Sequence, residues 1–115
     1  MDRFDLYNYK NNDTYIQAEI NLYKKQKQRL EDIGNKDLSE RYNKIIKKLI
    51  EQQKQQDKIV EKLEQMENPI YRNILFMKYI SGLSLKEISY KMNNDYAVIR
   101  RYNGWALNEF DKICS

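Results

Sequence analysis

The apolar positions of this chain fall at helical spacing almost throughout. After a lead-in through Tyr7-Asn8-Tyr9-Lys10-Asn11-Asn12 with no sustained period, Ile16, Ile20, Tyr23, Lys27 and Leu30 recur at alternating steps of four and three. That spacing predicts a helix with one narrow apolar stripe, N-capped by Asp13 or Thr14 and reaching about Asp32, with Gly34-Asn35 as its stop. A second stripe runs Leu38, Tyr42, Ile45, Leu49, Gln52, Gln56, Ile59, Leu63, Met66. It predicts a long helix from Asp37, about 45 Å in length, with a seam of coiled-coil type. Two helices joined by so short a turn should fold back as an antiparallel hairpin. The first is expected to be the shorter, leaving the distal part of the second without a partner in the hairpin. That part of the seam, from Leu49, Gln52 and Gln56 to Ile59 and Leu63, either packs on the C-terminal domain or forms a surface for another chain, including a homodimer through the arm.

Asn68-Pro69 ends the arm, because Asn is a good N-cap and Pro suits the first helical position. A helix is expected from Pro69 to about Ile80, with Ile70, Ile74, Leu75, Met77 and Ile80 on a broad core face. Ser81-Gly82 stops it. Ser84-Leu85-Lys86-Glu87 has the pattern of a capping box, opening a short helix, Leu85 to Met92. Asn93-Asn94 supplies a turn, and Asp95 is expected to cap a last helix with Ile99, Tyr102, Ala106, Phe110 and Ile113 at core spacing. Ser89 is small where the two helices would cross, Asn93 suits a left-handed turn position, and Ile88 and Ile99 are placed to meet between the helices. This is the pattern of a helix-turn-helix unit with a third helix in front. The expected fold is all-α, with a helical hairpin over residues 1–67 and a helix-turn-helix domain over 68–115.

Composition removes much chemistry. The 115 residues include no histidine, one cysteine (Cys114), three glycines and one proline. The commonest general base and transition-metal ligand is absent. An intramolecular disulfide is impossible, and a cysteine-based zinc site lacks a second Cys ligand. Glu61, Glu64 and Glu67 suit a solvated helix face better than an acid–base pair, and no glycine-rich phosphate loop is present. Neither a signal peptide nor a membrane span is read from the sequence. The expectation is a cytoplasmic protein, not an enzyme, with no cofactor, no metal and no small-molecule substrate.

Charge is uneven. The formal net charge is +4, from fourteen basic and thirteen acidic residues up to Glu67 and seven basic and four acidic from Asn68 onward. The C-terminal part is therefore the place to look for a polyanion such as double-stranded DNA. A recognition helix offers its first two turns to the major groove. With Ile99 and Tyr102 assigned to the core, Tyr96, Ala97 and Arg100 remain, with Arg101 and Asn103 at the edge. Arg100 is the first candidate for a base contact, because a guanidinium pairs bidentately with guanine O6 and N7. Lys86, Lys91, Tyr90 and Arg72 are candidates for phosphate contacts, which position a domain without reading sequence. Each of these residues also suits a solvated helix face. Gly104 is expected to interrupt the last helix.

The stretch Tyr71-Arg72-Asn73-Ile74-Leu75, then Met77-Lys78-Tyr79-Ile80-Ser81-Gly82-Leu83-Ser84, Glu87-Ile88-Ser89, Met92-Asn93, Ile99 and Ala106-Leu107, resembles the fourth region of bacterial sigma factors. It resembles still more the sigma-region-4-like end of phage and mobile-element late transcriptional regulators of the ArpU and RinA type. The run Asn68-Pro69-Ile70-Tyr71-Arg72 is similar to their junction between helical arm and DNA-binding end. The resemblance implies promoter binding and gene activation in a bacterial host, with a contact to RNA polymerase, and puts Tyr96, Ala97, Arg100 and Arg101 at DNA-reading positions. Two alternatives remain open. One is a DNA-packaging adaptor resembling a small terminase subunit; the other is a sigma mimic that occupies polymerase or another regulator without reading DNA.

Overall fold

The structure, a computed structural model describing all 115 residues, is all-helical. Its elements are α1 (Arg3–Asp32), α2 (Lys36–Glu64), α3 (Pro69–Leu75), a π-helical segment (Phe76–Ile80), α4 (Leu85–Met92) and α5 (Tyr96–Cys114). Packing divides the chain into a discontinuous unit, Met1–Lys10 with Lys58–Ser115, and a hairpin unit, Asn11–Asp57. The boundary expected between 67 and 68 therefore lies inside one compact unit. No helix is long and apolar enough to cross a membrane.

In the hairpin unit, α1 ends in a Schellman turn. Gly34 takes φ +76°, the Asn35 amide donates to the Leu30 carbonyl at 2.9 Å, and the Gly34 amide donates to Glu31 at 3.1 Å. The chain then reverses into α2. Ile20, Ile46 and Leu49 are buried, and the Tyr23 and Tyr42 rings lie 5.6 Å apart. From Leu38 to Gln53 every second seam position departs from the expected one. Ser39, Ile46 and Gln53 turn inward, while Leu38, Ile45 and Gln52, one position earlier in each case, are exposed. Two features explain the rotation. Ile stands at both 45 and 46, so either face carries an apolar residue, and Gln53 in the inner position bonds both Asp13 and Gln17 at 2.7 Å.

In the discontinuous unit, the first residues are not a loose lead-in. Asp2, rather than Asp13 or Thr14, caps α1: its Oδ1 accepts from the Phe4 amide at 2.9 Å, and the Asp2 amide donates to Asp5 at 3.0 Å. Leu6, fully buried, packs with Ile59, Leu63, Met66, Leu75, Ala106, Leu107 and Phe110. Arg3 ties this turn to α5, its Nε donating to Asp111 at 2.6 Å, its amide to the same carboxylate at 2.9 Å, and its Nη2 to Asn108 at 2.7 Å. The Asp111 carboxylate raises the pKa of the Arg3 guanidinium.

The five seam residues named for a partner surface lie mostly inside the chain. Leu49, Gln56, Ile59 and Leu63 are buried within the chain, and Gln52 alone of the five is exposed. The premise of a short first helix fails as well, since α1 has 30 residues and α2 has 29.

The remaining helices follow local chemistry. Asn68 accepts from the Ile70 and Tyr71 amides, with Pro69 at the first helical position. The helix opened there changes to π geometry over Phe76–Ile80 before Ser81, and Ile70, expected in the core, is exposed. Ser84 and Glu87 form the reciprocal capping box at 3.1 and 3.3 Å. Asn93 closes α4 at φ 52°, the single non-glycine residue with positive φ. Asn93→Ala is expected to destabilise by about 1–2 kcal/mol, because a Cβ strains the left-handed conformation that Asn tolerates. Asn93→Gly should be close to neutral. Urea unfolding of the two variants checks this; equal losses in both would mean that the Asn side chain, not its φ, matters.

Candidate nucleic-acid interface

α5 is seated on its inner side by Ile99, which with Ile74 and Ile88 forms a buried cluster lined by Met77, Leu83, Leu85, Met92 and Tyr102. Ser89, on the buried side of α4, donates its hydroxyl to the Lys86 carbonyl at 2.6 Å. A small side chain satisfied by its own helix adds no bulk at the crossing. Farther along, Ala106, Leu107 and Phe110 hold α5 in the larger core. Gly104 does not interrupt α5, which is helical from end to end, and a Cβ at that position would meet nothing within 4 Å.

These anchors decide what the opposite side of α5 presents. Tyr96, 48% exposed, lines one shallow depression together with Ala97, Arg100 and Arg101, all exposed. Beside it, Ser84, Lys86, Tyr90, Asn94 and Tyr96 line a cleft between α4 and the start of α5. Asp95 takes the extended backbone of an N-cap, but its side chain makes no capping hydrogen bond. Lys86, Tyr90 and Lys91 are exposed along α4. The surface thus joins two arginines, lysines and tyrosines around the start of one helix. Such groups can bond phosphates and, through a planar guanidinium, a base edge.

Two expected members turn elsewhere. Asn103 points inward, its Nδ2 donating to the Tyr79 hydroxyl at 3.3 Å, while its Oδ1 is buried without a hydrogen-bond partner. Asn103 stands four residues beyond the buried Ile99 and so lies on the inner side of α5, toward the π-helical segment. Arg72 bonds the Met66 carbonyl at 2.9 Å and so ties the start of α3 to the end of the preceding connection. Burial raises the pKa of the Tyr79 phenol, with the Asn103 hydrogen bond acting against it. Conversely, Ser84 and Asn94 line the cleft although the sequence marks them only as cap and turn residues. Residues that flank a helix start share its surface, which was the available signal. No group of three or more His, Cys, Asp or Glu side chains gathers to hold a metal ion, and burial raises the Cys114 thiol pKa. Comparison with models of protein families, with curated proteins and with solved structures finds no match to this chain.

Proposed function

We propose that this chain is a sequence-specific DNA-binding transcriptional regulator that reads the major groove with the first two turns of α5. The observation that carries the reading is the outward set Tyr96, Ala97, Arg100 and Arg101 on a helix whose inner side is anchored by Ile99. The turn Asn93-Asn94-Asp95 between α4 and α5 is the length a helix-turn-helix requires. Lys86 and Lys91 bind phosphates of the same site. The sequence resemblance to ArpU- and RinA-type regulators supports the narrower assignment: an activator of late genes of a phage or mobile element, acting in the cytoplasm of the bacterial host with RNA polymerase as a further contact.

The test is a gel shift on the intergenic region beside the gene, with Arg100→Ala against wild type. Loss of a bidentate guanine contact should weaken binding by about 1–3 kcal/mol, roughly 5- to 150-fold, and relax specificity at one position. Lys86→Ala should weaken all fragments alike and make the salt dependence shallower by about one phosphate. Equal retention of promoter fragments by Arg100→Ala and wild type would end the assignment.

A second reading is that the chain mimics a sigma factor and binds polymerase without reading DNA. The observation favouring it is Trp105, 48% exposed on α5 and in a row of tilted rings with Tyr102 and Tyr71, at 5.7 Å from Trp105 to Tyr102 and 5.9 Å from Tyr102 to Tyr71. Polymerase capture that survives Arg100→Ala but not Trp105→Ala, with no retention of DNA, would support it.

A further inference from the structure

The hairpin unit carries a second heptad stripe that is exposed at every position but the half-buried Gln26. Tyr15, Glu19, Leu22, Gln26 and Arg29 of α1, with Ile33 in the turn just past its end, follow at steps of four and three, the spacing of a helix–helix seam. Tyr15 is 69% exposed, Leu22 53% and Ile33 76%, while the stripe that packs on α2 includes the buried Ile20. Tyr15 shares a groove with Gln52 of α2. Leu38 and Ile45, exposed in consequence of the rotation of α2, stand two and one heptads before Gln52, and so continue that flank. Single exposed apolar residues are ordinary on a protein surface; a run of them in seam register is not.

The order of residues along the stripe says what covers it. About a midpoint at Lys24 the stripe is self-complementary. Tyr15 and Ile33 lie equally far on either side, as do Glu19 and Arg29, and Leu22 and Gln26. When two copies of α1 lie antiparallel across a two-fold axis at that midpoint, Glu19 of each faces Arg29 of the other. Tyr15 then meets Ile33, and the two Leu22 side chains sit beside the axis, each against Gln26. A two-fold interface requires this property, in which the surface matches itself with its ends exchanged. Neither acid against acid nor base against base arises among the six positions. We propose that this face of the hairpin unit is a dimer interface for a second copy of the chain, α1 against α1 in antiparallel register. The polar pairs fix the register, and the three apolar positions supply the burial. The proposal does not rest on DNA binding.

The experiment is the mass in solution of the full chain, by sedimentation equilibrium across a concentration series. The expected species is a dimer, twice 14.1 kDa. Leu22→Asp brings two carboxylates to the axis and should give the monomer. Glu19→Arg alone should weaken the dimer about tenfold or more, because two symmetry-related attractions become repulsions. Glu19→Arg combined with Arg29→Glu restores both pairs, and should return dimerisation to within about threefold of wild type. All these side chains are on the surface, and the thermal melt of each variant by circular dichroism should keep its helical baseline. A wild-type mass of 14.1 kDa at all concentrations, meaning that another protein or solvent covers the stripe, would overturn the proposal. So would a dimer unaffected by Leu22→Asp, or a charge exchange that fails to restore what Glu19→Arg removes.

Discussion

Leu6→Ala is expected to lower the free energy of unfolding by about 2–5 kcal/mol, a large part of the stability of a domain this size. Leu6 is fully buried among Ile59, Leu63, Leu75 and Phe110. Removing three carbons from that position therefore leaves a cavity walled by residues from three other helices. The surrounding helices cannot close it easily, because Arg3 holds the same turn to Asp111 through two hydrogen bonds. Phe4→Ala is the control. Phe4 lies two residues away on the same helix, is exposed, and its ring meets the Tyr7 ring edge to face at 5.7 Å. Its loss should stay within about 0.5 kcal/mol. Urea unfolding followed by circular dichroism reads both variants. Similar midpoints for Leu6→Ala and wild type would mean that the first turn of α1 is not part of the core.

Ile99→Ala should cost a similar amount, about 2–5 kcal/mol, and should act on the candidate interface as well. Ile99 is one of three fully buried residues that fix how α5 crosses α4. A shortened side chain there lets the start of α5 shift against Ser89, and Tyr96 and Arg100 move with it. The neighbouring substitution separates the two effects. Arg100 is exposed, so Arg100→Ala should leave the urea midpoint within about 0.5 kcal/mol of wild type while weakening DNA retention. Ile99→Ala should lower both. If Ile99→Ala destabilised the chain yet retained promoter fragments at full affinity under folding conditions, the position of α5 on its core would not govern binding.

Most of the C-terminal unit is legible in the sequence because its elements are punctuated. Asn68-Pro69, Ser84 with Glu87, and Asn93 each serve one backbone requirement, and each stands where that requirement arises. The contact of Ile88 with Ile99 follows from the same spacing. Two failures have physical causes. The first turns of α1 contain Asn8, Lys10, Asn11 and Asn12, of which the asparagines are weak helix formers. They are helical because Leu6 and Tyr9, three residues apart, pack on a core made by distant residues. No local pattern reports that. The rotation of α2 escapes for another reason: with Ile at 45 and 46, apolar spacing alone allows either seam, and the choice falls to bonds between Gln53 and residues 36 and 40 positions away. At the candidate interface the exposed arginines follow from the period. Asn103, four residues beyond Ile99, falls on the inner side by that same period rather than at the edge; its partner Tyr79, in a segment of π geometry, is what the sequence does not mark.

The division of one compact unit between two stretches of chain bears on how the protein is made. Asn11–Asp57 has all its partners close at hand and can zip up while still emerging from the ribosome. Leu6 and Arg3 are synthesised first but must wait for Phe110 and Asp111, the latter 108 residues after Arg3. Until then an apolar side chain meant for the interior is bare, and pairing across a separation of 108 residues carries the entropy of a very long loop. A ribosome stalled before Phe110 should therefore hold a finished hairpin beside an open half-core, which is the kind of surface that chaperones bind.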